Sequence, residues 1–283
     1  MAEEEQYTAL LESILEDNEQ VVLALARGVL ELRYELGDHY TRPLADNIKE
    51  CLSRFFMART GLRFIMEQHI AGQDSHRRSG YSGVIQEKCR PADVIKIAAD
   101  DAVSVCERCL GDSPSVHILG DVDLAFTYVP HHLHYMMFEL LKNALRATVE
   151  HSEASFEEDL LPVEVIIARG RQDVTIKVSD RGGGIAFKDL ENVWDFMYSS
   201  ARPPEELTYM DLPGNTPVLA GYGVGLPLCR IYAKYFGGGL DIMSMEGWGT
   251  DAYCHLSRLG DRGEALPQTV AASPGELDSS YKK

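Results

Sequence analysis

The segment Phe138-Glu139-Leu140-Leu141-Lys142-Asn143-Ala144-Leu145-Arg146 places an acid, an amine, an amide and a guanidinium at steps of three and four residues. On a helix, Glu139, Lys142, Asn143 and Arg146 therefore project from one side. An acid and a carboxamide one turn apart, backed by two cations, can hold a metal–triphosphate beside a general base. A solvated helix face would account for the Lys and the Arg. It does not account for Asn143, which has no propensity advantage in mid-helix. Met136, Met137, Leu140, Leu141 and Leu145 supply a buried side for the same helix.

Two glycine clusters lie downstream. Asp180-Arg181-Gly182-Gly183-Gly184 follows a strand pattern. One glycine serves an ordinary turn; three in a row suit a backbone that must approach a flat ligand, with the Asp180 carboxylate positioned to accept the exocyclic amine of adenine. Gly221-Tyr222-Gly223-Val224-Gly225 opens a helix pattern and offers free N–H groups to phosphate oxygens. No strand immediately precedes it, so it is not the dinucleotide fingerprint, and it lacks the Gly-Lys-Ser/Thr ending of a P-loop. The chain reads as a nucleotide-binding protein.

The elements that position these residues follow from periodicity. Apolar residues fall at helical spacing over 7–36 and again over 42–71, with Gly37-Asp38 between, which predicts two long antiparallel helices. A polar, glycine-containing loop over 72–83 marks a domain boundary. Beyond it, helices are predicted at 91–110, 131–150, 187–196 and 225–236. Strands are predicted at 116–119, 124–129, 163–168, 174–178, 240–243 and 252–256. The proline-rich stretch 201–219 reads as a long functional loop, and the polar segment 267–283 as a disordered tail. The fold class is α+β: a helical bundle over 1–85, then an α/β sandwich over 86–266.

With 45% apolar and 25% charged residues in 283, the chain holds enough material for two cores. No apolar run approaches the ~20 residues of a bilayer span. The net charge of −17 argues against a nucleic-acid or anionic-membrane surface. Cys51, Cys89, Cys106, Cys109, Cys229 and Cys254 are scattered, as reduced thiols are, and the lone Cys106-x-x-Cys109 lacks a second ligand pair for zinc. Met1-Ala2-Glu3-Glu4-Glu5 has neither the apolar core of a secretory signal nor the Arg-rich character of an organelle presequence.

The order of motifs resembles the Bergerat ATP-binding fold of histidine kinases, heat-shock chaperones and type II topoisomerases. Within that superfamily four segments resemble the mitochondrial pyruvate dehydrogenase kinases: Glu139 to Thr148, Ser179 to Gly184, Gly221 to Pro227, and Gly249-Thr250-Asp251-Ala252. Tyr232 to Gly238 and His255-Leu256-Ser257-Arg258-Leu259-Gly260 lean towards the plant-type members. The resemblance implies an ATP-dependent protein serine kinase acting on the E1α subunit of pyruvate dehydrogenase, with Mg²⁺ as cofactor. It implies Glu139 as general base, Asn143 on Mg²⁺, and Lys142 and Arg146 on phosphates. Asp180 would read adenine with Gly182, Gly184 and Thr250 around it; Ser199 and Ser200 would contact nucleotide. Gly221, Tyr222, Gly223, Val224, Gly225 and Leu226 would close over the triphosphate. Val193, Asp195 and Tyr198 match positions that supply K⁺ ligands.

The resemblance further implies a mitochondrial matrix location, a homodimer and docking on the lipoyl domain of the E2 core. The chain departs from the family pattern in three places. Tyr135 stands one turn before Glu139, where the pyruvate branch has a histidine; this is closer to the branched-chain ketoacid dehydrogenase kinase, and His131, His132 and His134 read as helix-start or surface residues. The family's longer helical domain before the equivalent of Tyr7, which helps form the lipoyl pocket, is missing. So is a tryptophan after Trp248, which the family's dimer contacts use. Arg63 matches an effector-site arginine, or is a packed bundle cation. Three alternatives remain open: a branched-chain kinase, a nucleotide-binding interaction module without turnover, and a two-component kinase phosphorylated on His69.

Overall fold

The computed structural model describes residues 2–73, 79–156, 159–198 and 223–258. Three helices open the chain: α1 (Ala2–Asp17), α2 (Val21–Leu36) and α3 (Arg42–Gln73). The single helix predicted over 7–36 is thus two. The break has a local cause: no apolar residue lies between Leu15 and Val21 to continue a buried stripe. Asn18 instead turns its amide back onto the Ile14 carbonyl at 2.8 Å, and its own carbonyl accepts from Arg59 of α3 at 2.7 Å. Gly37, at φ 46°, ends α2 and donates its N–H to the Arg33 carbonyl.

A small antiparallel sheet follows, in the order β1 (Tyr81–Ser82), β2 (Ile85–Cys89), β4 (Phe126–Tyr128). Strand β2 is absent from the sequence reading because its middle, Gln86-Glu87-Lys88, has no apolar side chain. The strand predicted at 124–129 shortens to β4. The main sheet comprises β3 (Val116–Gly120), β5 (Val163–Arg169), β6 (Asp173–Ser179), β7 (Gly239–Met245) and β8 (Gly249–Ser257), in the order β3-β5-β6-β8-β7. Only β3 and β5 run parallel. Val174, Ile176 and Val178 of β6 alternate into the core, the pattern of a sheet covered on one face. Helices α4 (Pro91–Leu110), α5 (Pro130–Ser155) and α6 (Gly225–Tyr235) share one apolar cluster with that face; Ile95, Leu133, Leu141 and Cys229 meet Val165 and Ile176 there. The architecture is α+β.

The helix predicted at 187–196 is two single 3₁₀ turns, Phe187–Asp189 and Asn192–Trp194. Phe187 is fully out in solvent, so no apolar stripe docks, and Asn192 turns its amide onto the Lys188 carbonyl at 3.4 Å. The proline-rich loop 201–219 and the segment 267–283 lie outside the described residues. A second apolar cluster joins the helical layer to the sandwich: Ala26, Leu52 and Phe56 pack on Met197, Leu228 and Ile231, and Phe56 stacks on Phe196 at 5.4 Å. The backbone at Gly61 passes so close to the Tyr235 ring that an added methyl would sit 3.1 Å from it.

Candidate nucleotide site

Helix α5 carries the stripe. Pro130 occupies its first turn, and Leu133, Met136, Met137, Leu140 and Leu141 anchor it in the core. Glu139, Lys142, Asn143 and Arg146 all line a cleft of about 490 Å³. Asp180, Gly182, Gly184 and Thr250 form its far wall at the ends of β6 and β8, while Gly223, Gly225 and Leu226 close it at the start of α6. Lys142 Nζ sits 2.8 Å from Glu139 Oε1, and both side chains are largely buried. Glu139 Oε2 lies against Gly225, where any methyl would collide with it. Arg146 pairs through Nη1 with Glu150 at 3.6 Å, and neither Nη1 nor Nε, both buried, makes a hydrogen bond among the described residues. Buried guanidinium donors without acceptors are costly, and in a cleft wall they point to an anionic ligand.

Asp180 is buried, and Oδ1 accepts the backbone N–H groups of Gly182 at 2.9 Å and Thr250 at 3.1 Å. Its other oxygen has no protein partner among the described residues. Burial pushes its carboxyl up to about 6, against the pull of those two N–H bonds. Thr250 is held in turn by Ser244, hydroxyl to hydroxyl at 2.9 Å. The glycines around Asp180 also serve the backbone. A methyl on Gly182 would stand 2.5 Å from the Ala147 carbonyl carbon, and one on Gly249 would strike the Asp180 carbonyl. Gly184 has φ 71°, and a methyl added there would collide with the Met245 carbonyl oxygen.

The other candidates divide. Val193 and Tyr198 line the cleft. Asp195 does not: its carboxylate is gripped by Lys49 and, at 3.4 Å, by Arg42, so its side chain belongs to the contact with α3. Val224 packs in the seam beside Phe56, leaving only its backbone for the cleft. Ser199, Ser200, Gly221 and Tyr222 lie outside the described residues. Tyr135 is partly buried with its ring 5.0 Å from that of Tyr232, and no hydrogen bond joins it to Glu139 among the described residues. Burial, with the Glu139 charge adding to it, raises the Tyr135 hydroxyl well above its usual pKa, so it stays protonated.

His134 faces Asp101 at 3.0 Å, and His132 is buried, its imidazole lowered to about 3 by desolvation. Arg63 is a bundle cation, bonded to the Leu15 carbonyl at 3.4 Å and to Glu67 at 3.2 Å. His69 is edged by the Tyr7 ring at 5.2 Å. Sequence reasoning missed Glu150, His151 and Ala154, which continue the stripe along α5 into the cleft. Their spacing from Arg146 and Ala147 is the signal that finds them.

Two family models match the chain. Residues 1–86 match the mitochondrial branched-chain alpha-ketoacid dehydrogenase kinase model, and residues 128–259 the histidine kinase-, DNA gyrase B- and HSP90-like ATPase model. A mitochondrial pyruvate dehydrogenase (acetyl-transferring) kinase of Arabidopsis thaliana is 42% identical over 94% of this chain and 71% of its own length. Its Schizosaccharomyces pombe counterpart is 38% identical over 92% of this chain and 61% of its own length. Isozyme 4 of Homo sapiens is 38% identical over 87% and 60%. The chain thus spans between three fifths and about seven tenths of these relatives. The identity runs through both the helical layer and the cleft, and the chain belongs to the pyruvate dehydrogenase kinase family.

Proposed function

We propose that this chain is an ATP-dependent protein serine kinase that phosphorylates the E1α subunit of the pyruvate dehydrogenase complex. The observation that carries the reading is the α5 stripe in the cleft wall, where Arg146 Nε and Nη1 make no hydrogen bond among the described residues, beside the Glu139–Lys142 pair. The residues fit the nucleotide: Asp180 keeps an acceptor for adenine, the N-terminus of α6 offers N–H groups, and Asn143 supplies a neutral oxygen suited to Mg²⁺. Bound Mg²⁺–ATP supplies the phosphoryl group and neutralises its charge. Glu139 accepts the serine hydroxyl proton, and Lys142 fixes that carboxylate through Oε1. Arg146 and Lys142 carry the phosphate contacts. Ser199, Ser200, Gly221 and Tyr222 belong to the same proposal, as does a K⁺ site using Val193, Tyr198 and the Asp195 backbone. So do the division at residue 85, a homodimer, lipoyl-domain docking and the mitochondrial matrix.

Two observations favour the branched-chain ketoacid E1 as a second substrate: Tyr135 one turn before Glu139, and the family model matched by residues 1–86. Labelled-phosphate transfer from ATP to the two purified E1 proteins, with and without lipoyl-bearing E2, separates the readings. The expected result is label on a serine of pyruvate dehydrogenase E1α at a rate at least tenfold above the branched-chain protein. The reverse preference transfers the assignment to the branched-chain enzyme, and no label on either leaves a non-catalytic binding module.

A further inference from the structure

Away from the cleft, a second group of chemically capable side chains lies where α3 meets the first turn of α5. Glu67, His131 and His132 each present one ligand atom, and these atoms all lie within 4.8 Å of one another. Ligands about 2.0–2.2 Å from a four-coordinate cation lie about 3.3–3.6 Å apart, so closing the site takes side-chain shifts of up to roughly an ångström. None of the three lines the nucleotide cleft.

His132 supplies the independent pointer. It is 2% exposed, and its Nδ1 is buried without a hydrogen-bond partner among the described residues. Its ring is held by Tyr232 at 4.7 Å, Phe236 at 5.7 Å and Phe64 at 6.1 Å, so it cannot swing out to find water. His131 is exposed beside it, ring centroids 5.0 Å apart, and gives a cation a route in from solvent. Glu67 contributes the negative charge and is paired with Arg63 at 3.2 Å.

We propose that Glu67, His131 and His132 bind a divalent transition cation of the zinc class. Two imidazoles and one carboxylate select zinc, copper or nickel over magnesium and calcium, which prefer all-oxygen sites. The exposed side at His131 leaves a fourth position for water. Such an ion ties the helical layer to α5 two turns ahead of Glu139. It also competes with Arg63 for the Glu67 carboxylate, so occupancy loosens the Arg63 link between α1 and α3. The Arg63 guanidinium opposes the cation, which makes this a reversible site rather than a permanent structural one.

The test is titration of the metal-free full chain with Zn²⁺ by calorimetry and with Co²⁺ by visible absorption, in excess Mg²⁺ and without nucleotide. The expected result is one equivalent bound, with His131→Asn and Glu67→Gln each weakening affinity at least tenfold. His131 is exposed and Glu67 partly buried, and circular dichroism checks that both variants keep the fold. Replacing exposed Cys51 and Cys109 by serine leaves binding intact. Absence of stoichiometric binding, affinity unchanged in both variants, or loss of binding on removing the thiols would each overturn the assignment.

Discussion

Asp180 gives one carboxylate oxygen to two backbone N–H groups, and the other has no protein partner among the described residues. Burial raises its pKa from 3.8 to about 6, so the folded state binds the proton more tightly than the unfolded chain. Its contribution to stability is therefore full below pH 4 and is lost as the pH rises to 6 and beyond. A shift of this size corresponds to roughly 3 kcal/mol. Asp180→Asn removes the titration but can turn the free acceptor into a donor, which would oppose the adenine amine of the proposed nucleotide. Chemical denaturation at pH 4, 5, 6 and 7 should show wild type losing on the order of 2–3 kcal/mol relative to Asp180→Asn across that range. A pH-independent difference would contradict the buried carboxylate. Nucleotide affinity of wild type should fall as the pH drops below 6, where the acceptor is protonated.

Glu139, Lys142, Asn143, Arg146 and Asp180 were legible because spacing on one helix and position after one strand are local properties. The Lys142–Glu139 pairing was not, and neither was the capture of Asp195 by Lys49 and Arg42. Those depend on rotamers and on contacts across more than a hundred residues.

Helices α5 and α6 make the cleft by approaching one another at Gly225, and the glycines along the walls fail in different ways when filled. Gly225 has ordinary backbone angles, so Gly225→Ala keeps α6 but drives Glu139 Oε2 from its place. A displacement of about 1 Å at a reacting group costs on the order of 10²-fold in rate. The expected outcome is a loss of turnover near that size with the melting temperature within a few degrees of wild type. Gly184→Ala meets a positive φ and the Met245 carbonyl together, and should cost about 1–3 kcal/mol or more of stability. Thermal denaturation of the two variants side by side distinguishes them; equal destabilisation would mean that Gly225 is a packing position only. At this scale, strongly periodic segments were readable: α4, the long α5 and the inward alternation of β6. The break at Asn18 and the 3₁₀ turns at 187–194 were not, because each is set by what the segment finds to pack against.

The whole molecule is a helical layer clamped onto an α/β sandwich through Phe56, Leu228 and Ile231, with the Lys49–Asp195 contact at the rim of that seam. The helical layer thereby touches α6 through Leu228 and Ile231, so a change in α2 or α3 has a direct mechanical path to the start of α6 at the cleft. No sequence period encodes that seam; it joins apolar residues of separate elements and appears only once they are assembled. On the proposed function, the cleft transfers phosphate with Glu139 as the base. Glu139→Gln keeps an oxygen for Lys142 and the shape of the cleft while removing the proton acceptor. Single-turnover transfer of labelled phosphate from Mg²⁺–ATP to E1α, measured with nucleotide affinity on the same preparations, tests it most directly. The expected result is transfer reduced by roughly 10²-fold or more, with ATP affinity within several-fold of wild type. Transfer at the wild-type rate by Glu139→Gln would contradict it.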